Sequence, residues 1–203
     1  MNRLIRYTAP AVLALSLVAG CNSDKDHLGK DSSQTMANEK SKEQKPMATA
    51  MIRPAGAAAT QPTMGNVTGT AKFTQMDKST VQMVVDLKGF APNSTHGIHI
   101  HEKGDLTAPD LTSAGPHYDP AMTKQHGGPE ADKHHAGDAG NLQADAKGAA
   151  HLELTIKGVS LTGDNSLVGR SVIVHEKADD LHSNPAGNSG ARIAGGVIEK
   201  SGM

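Results

Sequence analysis

A chain of 203 residues with a formal net charge of −1 has room for one ordinary domain and extensions. It carries neither the basic excess that nucleic-acid binding calls for nor the acidic excess of a solvating tail. Aromatic residues make up 2%, tryptophan is absent, and there are 22 glycines and 10 prolines. Such a chain must build its core from Val, Ile, Leu and Ala between frequent turns, which fits an all-β domain better than a helical bundle. The 11 histidines are the compositional outlier. A hydrolase uses one or two, whereas a metal site needs several.

At the N-terminus, Arg3 and Arg6 precede an apolar run from Ala11 to Ala19, which has the length of a secretory leader and is too short to span a bilayer. It ends in Leu17-Val18-Ala19-Gly20-Cys21, which resembles the lipobox of bacterial lipoproteins, a family cleaved before the cysteine and lipidated on it. The resemblance implies a signal peptide over residues 1–20 and an acyl anchor on Cys21, so that the mature protein sits in the cell envelope, outside the cytoplasmic membrane. As the sole cysteine, Cys21 also excludes a disulfide within the chain. Residues 21–47 form a tether, because Ser, Asp, Lys, Glu, Asn and Gln cannot bury enough surface to offset the entropy of ordering. Met36, Met47, Met51 and Met64 lie in or just after it. Thioethers are soft ligands for Cu(I), although methionine also serves as core filler.

From residue 48 to 203 the pattern becomes short strands between turn residues. The expected strands are Ala48–Arg53, Val67–Gln75, Thr80–Leu87, His96–His101, Ala149–Ile156, Ser171–His175 and Ala191–Glu199. Val67, Gly69, Ala71 and Phe73 alternate with Thr68, Thr70, Lys72 and Thr74, the period of a strand with one polar face. This pattern predicts a sandwich or a Greek-key barrel. Two connections, Asp105 to Ala149 and Lys177 to Gly190, are long for such a fold, and connections of that length are commonly functional.

The histidines gather in these strands and loops. In His96-Gly97-Ile98-His99-Ile100-His101, alternation puts His99 and His101 on one face, separated by roughly 6.5–7 Å of rise, with Ile98 and Ile100 on the other. His117, His126, His135 and Asp138 follow in the first loop, and His175 ends a later strand. Six imidazoles and a carboxylate exceed the needs of one ion, so two adjacent ions are the economical interpretation.

Ordered blocks carry a further resemblance: His96-Gly97-Ile98-His99-Ile100-His101-Glu102, Ser113-Ala114-Gly115-Pro116-His117, His126-Gly127-Gly128-Pro129 and His135-Ala136-Gly137-Asp138. Val174-His175-Glu176-Lys177-Ala178-Asp179-Asp180 and Gly187-Asn188-Ser189-Gly190-Ala191-Arg192-Ile193-Ala194-Gly195-Gly196-Val197-Ile198 complete them. In these blocks the chain resembles the copper/zinc superoxide dismutases. The resemblance implies a Greek-key β-barrel of the Ig-like sandwich or barrel class with two long functional loops. It implies copper held by His99, His101, His117 and His175, and zinc held by His117, His126, His135 and Asp138, with His117 bridging. It further implies superoxide as substrate, His117 as proton carrier and Arg192 as the residue that attracts and orients the anion; Lys177 reads either as a contributor to a positive funnel or as an ordinary solvated lysine. Asp179 would link a copper ligand to a zinc ligand through hydrogen bonds. His96 is expected to pack and hydrogen-bond instead of ligating, and His135 is preferred over His134 at zinc.

The chain departs from the family at one feature. Most members tie the first loop to the last strand by a disulfide, and the positions matching those cysteines are Leu111 and Gly195. The metal ligands and burial of Leu111 are left to hold that loop, and the orientation of Arg192 becomes the open question. The competing reading is a non-catalytic copper/zinc-binding lipoprotein; such a relative is expected to lose a copper ligand or the arginine, and this chain keeps all of them. Both monomers and homodimers occur in the family, and the sequence leaves that choice open.

Overall fold

The computed structural model describes Lys45, residues 47–56 and residues 66–202. The leader, Cys21, most of the tether, Met36 and Met64 lie outside the described residues. Among the described residues, no helix is long and apolar enough to cross a membrane.

Eight strands run in chain order as β1 (Met47–Pro54), β2 (Thr68–Asp77), β3 (Thr80–Lys88), β4 (Thr95–His101), β5 (Asp138–Gln143), β6 (Ala149–Lys157), β7 (Ser171–His175) and β8 (Arg192–Lys200). They pair antiparallel in the order β5-β4-β7-β8-β1-β2-β3-β6. An isolated bridge between Ala144 and Ala150 links the chain beyond β5 to β6 and nearly closes the sheet into a barrel. The chain crosses between the two ends of the strand order from β3 to β4 and again from β6 to β7, which gives the Greek-key connectivity. Closure suits a sheet with little aromatic mass, since it protects edges that would otherwise need covering.

Seven of the strands fall where alternation predicts them. β5 is the exception, lying inside the stretch expected to be one long loop. Its sequence, Asp138-Ala139-Gly140-Asn141-Leu142-Gln143, has poor strand propensity, and Gly140 has φ +80. Pairing with β4 and burial of Ala139 and Leu142 impose the strand from outside. The first long connection therefore ends at Asp138, and a strand terminus positions that carboxylate.

Alternation also fails where it carries most information. β3 shows the expected pattern, with Val81, Met83, Val85 and Leu87 buried and the intervening residues partly or fully exposed. In β7 every residue is buried, and β4 is buried from Gly97 to His101. Ile98 and Ile100 face the core opposite Val174 and Val172, while His99 and His101 pair with Ile173 and Ser171 on the outer face. The connections after β4 and β7 lie over that outer face and turn it into a second interior. Burial of each apolar side chain of this size contributes about 1.5–3 kcal/mol toward holding the strands in register.

On the solvated side, Asp86 of β3 stands directly opposite His151 of β6, with Oδ1 and Nδ1 2.7 Å apart. The hydrogen bond to Asp86 holds the His151 pKa above the usual imidazole value. This pair stabilises the folded state below the unfolded-state pKa and loses that contribution as pH rises through the raised folded value. We expect NMR titration of His151 to show a midpoint that falls in Asp86→Asn; an unchanged midpoint would refute the pairing.

Candidate metal centre

Four histidines meet on the outer face of β4 and β7: His99 and His101 from β4, His175 from the end of β7 and His117 from the first loop, which bridges to His101. All four are buried, and one nitrogen from each lies within 4.8 Å of those of the others. The second nitrogen of each ring has an oxygen partner. His99 Nε2 is 2.8 Å from Asp179 Oδ2, His101 Nδ1 2.8 Å from the Gly115 carbonyl, His117 Nδ1 2.7 Å from Asp138 Oδ1, and His175 Nδ1 3.3 Å from the Gly190 carbonyl. The remaining nitrogens are His99 Nδ1, His101 Nε2, His117 Nε2 and His175 Nε2, and each is buried with no hydrogen-bond partner.

Four orphaned imidazole nitrogens aimed at one point would be a severe defect in a packed interior, because buried polar atoms are normally satisfied. A cation that accepts nitrogen ligands removes the defect. Burial lowers the pKa of all four rings; His117 falls to about 4 and His175 to about 3, with neighbouring imidazoles adding to the effect. The rings are therefore neutral at physiological pH and present lone pairs, the form a metal requires.

A second cluster shares His117. His117, His126, His135 and Asp138 also bring one ligand atom each within 4.8 Å of one another. Around Asp138 Oδ1 lie His117 Nδ1 at 2.7 Å, His126 Nδ1 at 3.1 Å and His135 Nδ1 at 3.2 Å. Asp138 Oδ2 accepts the backbone N–H groups of Gly127 and His135 at 3.1 and 2.9 Å. Burial alone raises a carboxyl pKa, but the three imidazoles hold Asp138 far below the usual carboxylate range. Burial likewise lowers His126, yet Asp138 and Asp179 outweigh it and push it up to about 9. This cluster calls for positive charge at its centre, while the first calls for a Lewis acid among neutral donors.

Asp179 joins the two. Its Oδ2 is 2.8 Å from His99 Nε2 and its Oδ1 is 2.9 Å from His126 Nε2, so one carboxylate orients a ring in each cluster. Its own main chain is clamped by Asn141, which donates Nδ2–H to the Asp179 carbonyl at 2.9 Å and accepts the Asp179 N–H at 2.7 Å. Gly187, at φ +60, passes over this carboxylate so closely that a Cβ there would collide with Asp179 Oδ1.

Asn141 and Asn184, whose side-chain oxygen accepts the His126 N–H at 2.7 Å, are supports that sequence reading missed. Asn141 follows Asp138 by three residues, but spacing cannot say that it meets residue 179. The remaining assignments have clear positions. His96 makes contacts of 2.8 Å to the His175 carbonyl and to Ser94 Oγ and stays out of both clusters. His134 Nδ1 lies 2.7 Å from the His135 carbonyl, also apart from them. Arg192 is half-buried and reaches the carbonyls of Leu111 and Gly115 at 2.7 and 2.8 Å, whereas Lys177 is exposed.

Comparison with known proteins bears on this geometry. A family model described as copper/zinc superoxide dismutase matches residues 67–198. An extracellular Cu-Zn superoxide dismutase of Brugia pahangi is 41% identical over 143 residues, covering 66% of this chain and 70% of its own. Cu-Zn superoxide dismutases of Yarrowia lipolytica and Cryptococcus neoformans var. grubii are 45% and 43% identical over 139 residues, covering 65% of this chain and 89% of each relative.

If Asp179 orients both rings, Asp179→Asn should lower metal affinity about 10–100-fold, the usual cost of losing an outer-sphere acceptor. Competition against a chelating indicator measures this, and wild-type affinity at both clusters would show the bridge to be incidental.

Proposed function

The chain belongs to the copper/zinc superoxide dismutase family, and on that premise we propose that copper is held by His99, His101, His117 and His175 and zinc by His117, His126, His135 and Asp138. The protein is a superoxide dismutase that uses copper and zinc and converts two superoxide anions and two protons to oxygen and hydrogen peroxide. The observation that carries the residue assignment is the set of four partnerless buried nitrogens beside a carboxylate that three imidazoles surround. A neutral four-nitrogen set suits copper, and a three-histidine, one-carboxylate set suits zinc.

Copper supplies reversible one-electron exchange, which zinc cannot. The protein's own residues supply the rest. His117 belongs to both clusters, with Nδ1 toward the carboxylate side and Nε2 toward the other histidines, so Nε2 is the atom to hold a proton and deliver it as peroxide forms. Arg192 brings a fixed positive charge with fork geometry to attract and orient the anionic substrate. Lys177, exposed nearby in sequence to His175, adds to the field that steers superoxide inward. Asp179 holds one ring of each cluster in its tautomer.

For the remainder of the chain, residues 1–20 are proposed as a lipoprotein leader, Cys21 as the acylated residue, 21–47 as a tether and 48–203 as the catalytic domain. The support is the basic, apolar and small-residue order ending at Cys21. A relative whose name places it outside the cell agrees with an extracytoplasmic site.

Two outcomes test these readings. His117→Ala should lower the rate of superoxide decay about a hundredfold or more, in the range expected on losing a positioned proton carrier. Metal analysis run alongside should still find copper, and full activity in that variant would overturn the role given to His117. In cells, Cys21→Ser should move the protein from the membrane fraction to the soluble fraction; an unchanged distribution would remove the anchor.

A further inference from the structure

Arg192 grips the first long loop at two points. Its Nη1 donates to the Leu111 carbonyl at 2.7 Å and its Nη2 to the Gly115 carbonyl at 2.8 Å, so the guanidinium spans the 3-10 turn Thr112–Ala114 from end to end. The Gly115 carbonyl is also the oxygen 2.8 Å from His101 Nδ1, which ties that grip to the metal cluster. The other grip depends on whatever holds residue 111 in place.

Leu111 is an unexpected residue for that position. Its backbone is left-handed, with φ 60 and ψ 16, a region that branched side chains disfavour. Yet its side chain is buried, with only 6% of the residue exposed. The surface it meets is β8, the strand that begins at Arg192. A Cβ built on Gly195 would lie 3.2 Å from Leu111 Cδ1 and 2.8 Å from Ile173 Cδ1, so the missing side chain at 195 is what makes space for Leu111. With its single cysteine at residue 21, the chain has no covalent tie at this junction.

We propose that the Leu111 side chain, seated over Gly195 beside Ile173, is a positioning residue for Arg192: apolar packing between loop and strand holds the Leu111 carbonyl where it receives Nη1 and so aims the guanidinium at the incoming anion. The proposal rests on the reading of Arg192 as the residue that orients the anion. The seat has two halves, and either can be spoiled. Leu111→Ala empties it, and Gly195→Val fills its floor and expels the leucine.

Azide, a small anion that binds at copper, is the probe, and its dissociation constant is read from the change in copper absorbance of metal-loaded protein. Superoxide decay and metal content are measured on the same samples. Arg192→Ala should weaken azide about tenfold, the scale of one charge-assisted hydrogen bond. Leu111→Ala and Gly195→Val should each weaken it about three- to tenfold with both metals still bound, part of that same interaction. Leu111→Met should bind azide as the wild type does, and Leu111→Ala should add nothing in an Arg192→Ala background. Gly195→Ala, which crowds the seat without breaking it, is expected to act in the same direction and serves where Leu111→Ala does not fold. Wild-type azide binding in the seat variants beside a weakened Arg192→Ala overturns the proposal alone. Equal weakening by Leu111→Ala in both backgrounds also overturns it, since the leucine would then act on the metal centre at large. Wild-type azide binding in Arg192→Ala overturns the reading of Arg192 and this proposal with it.

Discussion

The centre depends on burying two carboxylates among imidazoles. Asp138 and Asp179 lie away from water, where an unpaired carboxylate is strongly unfavourable, and between them they meet five ring nitrogens on four histidines, one each on His99, His117 and His135 and both on His126. Each such contact fixes a ring orientation, and fixing one nitrogen of an imidazole aims the other. Asp138 and Asp179 set His117 and His99 this way, and the carbonyls of Gly115 and Gly190 do the same for His101 and His175. The arrangement of partnerless nitrogens is thus a consequence of where oxygen acceptors stand on the far side of each ring.

That constraint explains the architecture around it. A sheet face bearing His99, His101 and His175 would ordinarily be wet, and neutral rings with depressed pKa values would not arise there. The two long connections cover it and supply the carboxylates as they do so. β5 contributes in the same way: its weak strand sequence is held by pairing with β4, and that pairing brings Asp138 in at a rigid end and not on a loose segment. The barrel core of Ala, Val, Ile and a central Phe73 packs against the same strands and extends to Leu111, Ala114 and Tyr118 of the first connection, so strands and loop share one apolar cluster.

The junction at Leu111 shows how such an arrangement is held without cross-links. Arg192 is steadied by backbone carbonyls on both sides of a short turn, and that turn is pressed onto β8 by an apolar contact over a glycine. Packing of this kind is weaker than a covalent bond but needs no oxidising step, which suits a chain whose single cysteine is expected to carry lipid.

The sequence alone determined the fold class and seven of the eight strands, and it singled out the residues proposed as ligands and anion guide, because strand period, turn chemistry and ordered histidine blocks are local properties of the chain. It also placed Leu111 and Gly195 at matching positions and could not say that they touch. Only the tertiary structure decided that β5 is a strand, that Asn141 clamps Asp179, and which nitrogen of His99, His101, His117 and His175 is left without a partner. Those outcomes depend on residues far apart in the chain being brought within a few ångströms in a dry interior, and no spacing rule along one segment encodes which oxygen a distant loop will lay against a ring.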